Sequence, residues 1–163
     1  MILFSPALEL KEKNINNMNN LIIDAATKKI FLTLINNQNI YTSSYENSKS
    51  NFEKLVVLIN EFLKNNKTSI NKIDRIYVNR GPGSFAGIRN SISIVKGFYL
   101  AKKIDFFCFS FFDFINLDVD LKKQITGNLS LLSKFHNIKH EDVPSLCDKF
   151  KIKKNLIKPI YLS

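Results

Sequence analysis

Ile76-Tyr77-Val78-Asn79-Arg80-Gly81-Pro82-Gly83-Ser84-Phe85-Ala86-Gly87-Ile88-Arg89 is the stretch on which the reading of this 163-residue chain turns. It opens on an apolar, β-rich run (Ile73, Ile76, Tyr77, Val78) of the kind that suits a pleated, buried surface. Gly81-Pro82-Gly83 then makes a tight turn that residues without a Cβ penalty follow easily. Ser84 is placed as the N-cap of a segment with helical spacing, accepting from its first free N–H groups. Strand, turn and helix thus follow one another within 14 residues.

Two uses of such a turn are open on spacing alone. A helix N-terminus beside glycine backbone gathers unpaired donors and positive dipole, which suits an anion. The same spacing also makes a purely structural corner, and that reading is favoured. No Lys-Ser or Lys-Thr follows the loop, so it is not a P-loop, and Gly87 falls one residue late for a dinucleotide fingerprint.

Outward from the turn, the chain alternates between the two periodicities. Residues 20–27, 29–36 and 38–44 read as strands, with turns at Thr27-Lys28-Lys29 and Asn36-Asn37-Gln38 that favour antiparallel hairpins. Residues 50–65 read as a helix, with Phe52, Leu55, Val56, Ile59, Phe62 and Leu63 at helical intervals. Val57 and Leu58 widen its apolar arc beyond one face, so the helix is expected to be buried on two sides. Strand 73–79, the turn, helix 85–103 and strand 104–109 complete the series. Ser110 to Asp113 has capping-box spacing, and the phenylalanine-rich run 106–114 is expected to be core. Two hairpins followed by strand–helix–strand units predict an α/β fold built on a mixed five-stranded sheet with right-handed crossovers.

The motif itself resembles the signature of the bacterial TsaB family, also called YeaZ, in which G-P-G-S-F-T-G-[L/I/V]-R precedes a helix carrying K-G. Gly81, Pro82, Gly83, Ser84, Phe85, Gly87, Ile88, Arg89, Lys96 and Gly97 match, and Ala86 replaces the usual threonine. Leu21 to Thr27 is similar to the family's opening strand, Ile104 to Phe114 to its next strand and serine-initiated helix, and Pro159 to Leu162 to its closing segment. The resemblance implies the ribonuclease-H-like fold of the actin, Hsp70 and sugar-kinase superfold. It implies three segments: an N-terminal extension over 1–17, expected to be disordered or to reflect a start at Met18, a lobe over 18–117, and a reduced remnant of a second lobe over 118–163. The D-A-R strand of the family's second lobe is missing, and Ile125 to Asn128 only loosely resembles a later glycine motif.

In function the resemblance implies a non-catalytic subunit of the machinery that makes threonylcarbamoyladenosine in tRNA. Its partner would be TsaD, the catalytic relative, with TsaE a further candidate, tRNA reached through the complex, and a homodimer conceivable for the chain alone. The pairing would run through helices 50–65 and 85–103. The residues expected at that interface are Phe52, Leu55, Leu58, Ile59 and Phe62 on the first, and Ala86, Asn90, Ser93 and Gly97 on the second. The latter four form a stripe of small residues that permits close helix approach, either to the chain's own sheet or to a foreign helix. No cofactor is expected on this chain alone, and ATP only at the shared interface. A nucleotide-binding phosphotransferase or ATPase of the same superfold is the alternative, weakened by the want of a second glycine-rich phosphate loop.

Composition bounds these readings. The chain is 45% hydrophobic and carries a net charge of +10, from 24 Lys and Arg against 14 Asp and Glu. It is long enough for one ordinary core. No run of 18 apolar residues occurs, no signal peptide is read at Met1 to Leu10, and a cytoplasmic location with no membrane contact is expected. Cys108 and Cys147 lie far apart and give no metal spacing, which fits a reducing compartment. The basic cluster Lys149, Lys151, Lys153, Lys154 and Lys158 reads as a solvated face, with tRNA contact as the other reading.

Individual chemistry-bearing residues point the same way. His136 and His140 stand at i, i+4, the spacing of a helical metal pair, but a loop is expected there and both are read as exposed rather than metal-ligating. Asp24 matches a position near the phosphates in nucleotide-hydrolysing relatives; capping of the strand end is the favoured role. No Ser-His-Asp or Cys-His set is arranged by a motif, so no catalytic residue is assigned.

Overall fold

The computed structural model describes residues 17–115 and 138–161. The extension ahead of residue 17, His136 and the segment from Ile125 to Asn128 lie outside the described residues.

Among the described residues, five strands form one sheet: β1 (Asn20–Asp24), β2 (Lys29–Asn36), β3 (Asn39–Glu46), β4 (Arg75–Asn79) and β5 (Asp105–Phe109), in the order β3-β2-β1-β4-β5. β1 pairs antiparallel with β2, and β2 with β3, while β4 joins β1 and β5 in parallel. The mixed sheet expected from the sequence is therefore present. Between β2 and β3, Asn36 pairs with Asn39, and Asn37 and Gln38 both have positive φ, at 46° and 72°. That is the primed two-residue turn whose twist suits a hairpin.

Among the described residues, three helices cover one face: α1 (Lys49–Glu53), α2 (Leu55–Asn65) and α3 (Phe85–Lys102). The helix expected over 50–65 is thus broken at Lys54, after a first turn capped by the Ser48 side chain, which accepts from Asn51 N. Leu21, Ile23, Ile76, Val78, Phe106 and Cys108 point from the sheet into this layer and meet Leu55, Ile59, Phe62, Ile88 and Val95.

The opposite face is covered by a fourth helix, α4 (Val143–Lys149), and by a short 3-10 turn at Phe111–Phe114. Ile22, Tyr77 and Phe109 alternate onto this side and pack with Phe111, Phe114, Val143 and Cys147. Strand β1 is buried along its whole length, as a strand sandwiched between two layers must be. Residues 138–161 therefore lie on the same sheet as the first lobe. The run 106–114 is core as expected, with Phe107 and Asp113 half-buried. The Ser110 box forms: its Oγ accepts from Phe112 N at 3.2 Å, and Asp113 Oδ2 accepts from Ser110 N at 2.8 Å.

Candidate partner interface and signature turn

The signature turn is a crossing point of three chain segments. At the end of β4, Asn79 Oδ1 accepts from Gly81 N at 2.9 Å, and Arg80 N donates to Phe109 O at 2.8 Å. Gly81 has φ +103°, a conformation closed to most residues, and a Cβ there would strike the Ile160 carbonyl. Gly83 and Gly87 likewise face backbone: a Cβ on either would overlap the carbonyl oxygens of Ala26 and Ala25. Ser84 N donates to Ala26 O at 2.8 Å, and Ser84 Oγ accepts from Gly87 N at 3.2 Å, which is the N-cap read from the sequence. The glycines therefore let the end of β1 and the C-terminal segment press against the turn. Several N–H groups that would greet an anion are spent inside the chain, which supports the structural corner over the anion site.

Arg80 ties this corner together. Its guanidinium makes a 2.7 Å ion pair with Asp113 and donates to Lys158 O at 3.0 Å, while its carbonyl accepts from Ile160 N at 2.7 Å. Pro82 is buried beside it, whereas Arg89, one turn into α3, is exposed.

Asp24 closes β1 in a buried position. Its Oδ1 accepts from Ala26 N at 3.1 Å, the strand-end capping expected of it, and its Oδ2 lies 2.8 Å from His140 Nε2. The expectation of an exposed His140 is corrected here. The ring is only 21% accessible and rests between Phe31 and Phe111, with centroids 5.1 and 6.1 Å away. A buried carboxylate recruits the nearest donor that can reach it, and His140 sits on a 3-10 turn that delivers it. The five lysines of the basic cluster are all exposed.

The residues named for a partner interface divide sharply. Phe52, Leu55, Ile59 and Phe62 are buried in the chain's own core and are not available to a partner, and Leu58 is half-buried. An i, i+4, i+7 apolar stripe is consumed first by the sheet beneath it. The added arc of α2 is not buried on a second side either: Val57 is 49% exposed, and Val56, expected in the main stripe, is 41% exposed. On α3 the outcome is the opposite. Ile88, Ile92 and Val95 face the core, while Ala86, Ser93 and Gly97 are exposed and Asn90 is half-exposed. A Cβ built on Gly97 would meet nothing within 4 Å. The outer surface of the helical layer thus offers a small-residue stripe on α3 and two unburied valines on α2. Val57 was legible as a surplus apolar residue outside the main stripe of 50–65, whereas Val56 was read within that stripe and is turned outward instead.

Both cysteines are free and buried. Burial pushes the Cys108 thiol up to about 12 and that of Cys147 higher still, so neither is a ready thiolate. No helix among the described residues is long and apolar enough to cross a membrane.

The family model for "TsaD: tRNA N6-adenosine threonylcarbamoyltransferase" matches residues 38–125, more than half of the chain. The chain is 30% identical over 80 residues to the tRNA threonylcarbamoyladenosine biosynthesis protein TsaB of Buchnera aphidicola subsp. Baizongia pistaciae (strain Bp), covering 49% of this chain and 36% of that one. It is 28% identical over 84 residues to the TsaB protein of Escherichia coli (strain K12), covering 52% and 36%. The chain thus spans between 36 and 41% of the length of the curated relatives it matches. Among solved structures, YeaZ from Pseudomonas aeruginosa superposes with a TM-score of 0.53 at 22% identity, over 57% of this chain and 44% of that one. The likeness in fold, the signature turn and these matches together place the chain in the TsaB (YeaZ) family, among the relatives of TsaD.

Proposed function

We propose that this chain takes part in tRNA threonylcarbamoyladenosine biosynthesis as a non-catalytic scaffold subunit, pairing with TsaD through the outer surface of its helical layer. The observation that carries the pairing is the solvent-facing stripe of α3, Ala86, Asn90, Ser93 and Gly97, which admits a second helix at close range. Val56 and Val57 on α2 add apolar area in the same layer. In this reading TsaE joins as a further partner, tRNA is engaged by the assembled complex, and ATP belongs to the shared interface. The pathway is that of its curated relatives, the tRNA threonylcarbamoyladenosine biosynthesis proteins TsaB.

Ser93→Arg tests the pairing. At an interhelical distance of roughly 8–10 Å the guanidinium has no room. An unpaired buried charge costs about 3–5 kcal/mol. The lone subunit, where Ser93 is exposed, is expected to keep its melting temperature. Co-purification with the TsaD of the same source is expected to fail. Normal co-purification of a folded Ser93→Arg variant would move the interface elsewhere.

A further inference from the structure

Under α4, on the sheet face away from the other helices, lies a cavity of about 230 Å³. Tyr77 and Phe107 form its floor, stacked with centroids 5.1 Å apart, and Ile152 forms part of its wall. Three charged residues line it: Arg75 from β4, Asp148 from α4 and Lys151 just after that helix. The Arg75 guanidinium lies 5.5 Å above the Phe107 ring. Burial pushes the Tyr77 phenol up to about 12, so it stays protonated at the floor.

Among the described residues, none of the three charged groups is engaged in an ion pair, although they line one cavity. A plain anion would find Arg75 and Lys151 but be repelled by Asp148; a plain cation meets the reverse. A molecule bearing both charges satisfies all three. The volume lies below the roughly 300–1,000 Å³ of sites for drug-sized ligands, so the occupant is smaller. Phe107 and Ile152 call for an apolar body.

We propose that this cavity binds a small zwitterion with a short apolar body, the chemistry of a free aliphatic α-amino acid. Its carboxylate meets Arg75 and Lys151, its ammonium meets Asp148, and its side chain lies against Phe107 and Ile152. A guanidinium already braced on an aromatic ring loses little freedom when it takes a carboxylate.

Titration of the full chain by calorimetry and amide NMR decides the matter, with L-leucine, acetate, n-butylamine and inorganic phosphate as probes. L-Leucine is expected to bind saturably and about tenfold or more tighter than acetate or n-butylamine, since each of these keeps one charge arm only. Asp148→Asn and Lys151→Asn, both at exposed positions, are each expected to weaken L-leucine about tenfold and to leave the melting temperature unchanged. If Asp148→Asn fails to fold, the Lys151→Asn result stands by itself. Saturable L-leucine binding that both folded variants retain would overturn the proposal. So would the lack of any saturable binding, or phosphate binding tighter than L-leucine.

Discussion

Gly83 and Gly97 lie on the same strand–turn–helix unit and demand opposite things of their surroundings. At Gly83 the space for a Cβ is already held by the Ala26 carbonyl, a backbone group locked by its bond from Ser84 N. Gly83→Ala must therefore part β1 from the turn, and we expect it to cost about 2–4 kcal/mol in urea unfolding. At Gly97 the space is empty and the backbone is helical, so Gly97→Ala is expected to gain about 0.5–1 kcal/mol in the lone subunit. Equal effects of the two changes would refute the packing described for the turn. The thiols give a second test at this scale. Cys108 has its pKa raised from 9.0 to about 12 by burial, and Cys147 is raised in the same direction by the same cause. The folded state thus holds protons that the unfolded state releases above pH 9. Stability from this source is complete below pH 9 and declines as pH rises toward 12, by at most ~1.4 kcal/mol per pH unit and thiol. Melting temperatures across that window should fall less steeply in the Cys108→Ala, Cys147→Ala double variant than in the parent.

At the scale of elements, local pattern was decisive wherever one contact partner was certain. Strands β1 and β4 were legible because central strands must be apolar on both faces, and the corner at Gly81 to Ser84 because its chemistry is confined to four residues. The hairpin at Asn36-Asn37-Gln38 followed from the brevity of the link, and the structure narrows its turn to Asn37-Gln38. The helix over 50–65 was legible as a helix, but periodicity identifies an apolar stripe without saying what lies beneath it. Phe52, Leu55, Ile59 and Phe62 were therefore open to assignment to a partner, and the sheet claims them instead. The α3 stripe was readable as small residues, and its exposure follows from the opposite stripe, Ile88, Ile92 and Val95, being the larger and more apolar. The Asp24–His140 pair was out of reach for a different reason. The two residues are 116 apart in sequence, and no local spacing encodes a contact closed only when the far segment folds onto the sheet.

At the scale of the whole molecule, that far segment is what makes the sheet a sandwich. Residues 138–161 supply Val143 and Cys147 to the core of the second face, where they meet Ile22, Tyr77 and Phe109. They also close an edge: Asn155 accepts from Phe106 N at 2.9 Å and donates from its own N to Phe106 O at 2.7 Å, pairing the free side of β5. The same segment brings His140 to Asp24, and Ile160 and Tyr161 to the signature turn. Removing everything after residue 137 would bare the aromatic second face, unpair β5 and leave a buried carboxylate without its imidazole. An exposed edge strand beside bared aromatic surface is a template for association between copies. The combined loss is comparable with the about 5–15 kcal/mol that holds a domain folded. We expect the chain ending at residue 137 to lack a cooperative melt and to aggregate on concentration, as read by circular dichroism and size-exclusion chromatography. A cooperative melt at the parent temperature would mean that the helical face alone sustains the sheet. The segment would then be an accessory laid over a finished fold, and the corner at Gly81 would owe its shape to β1 and β4 without help from Ile160.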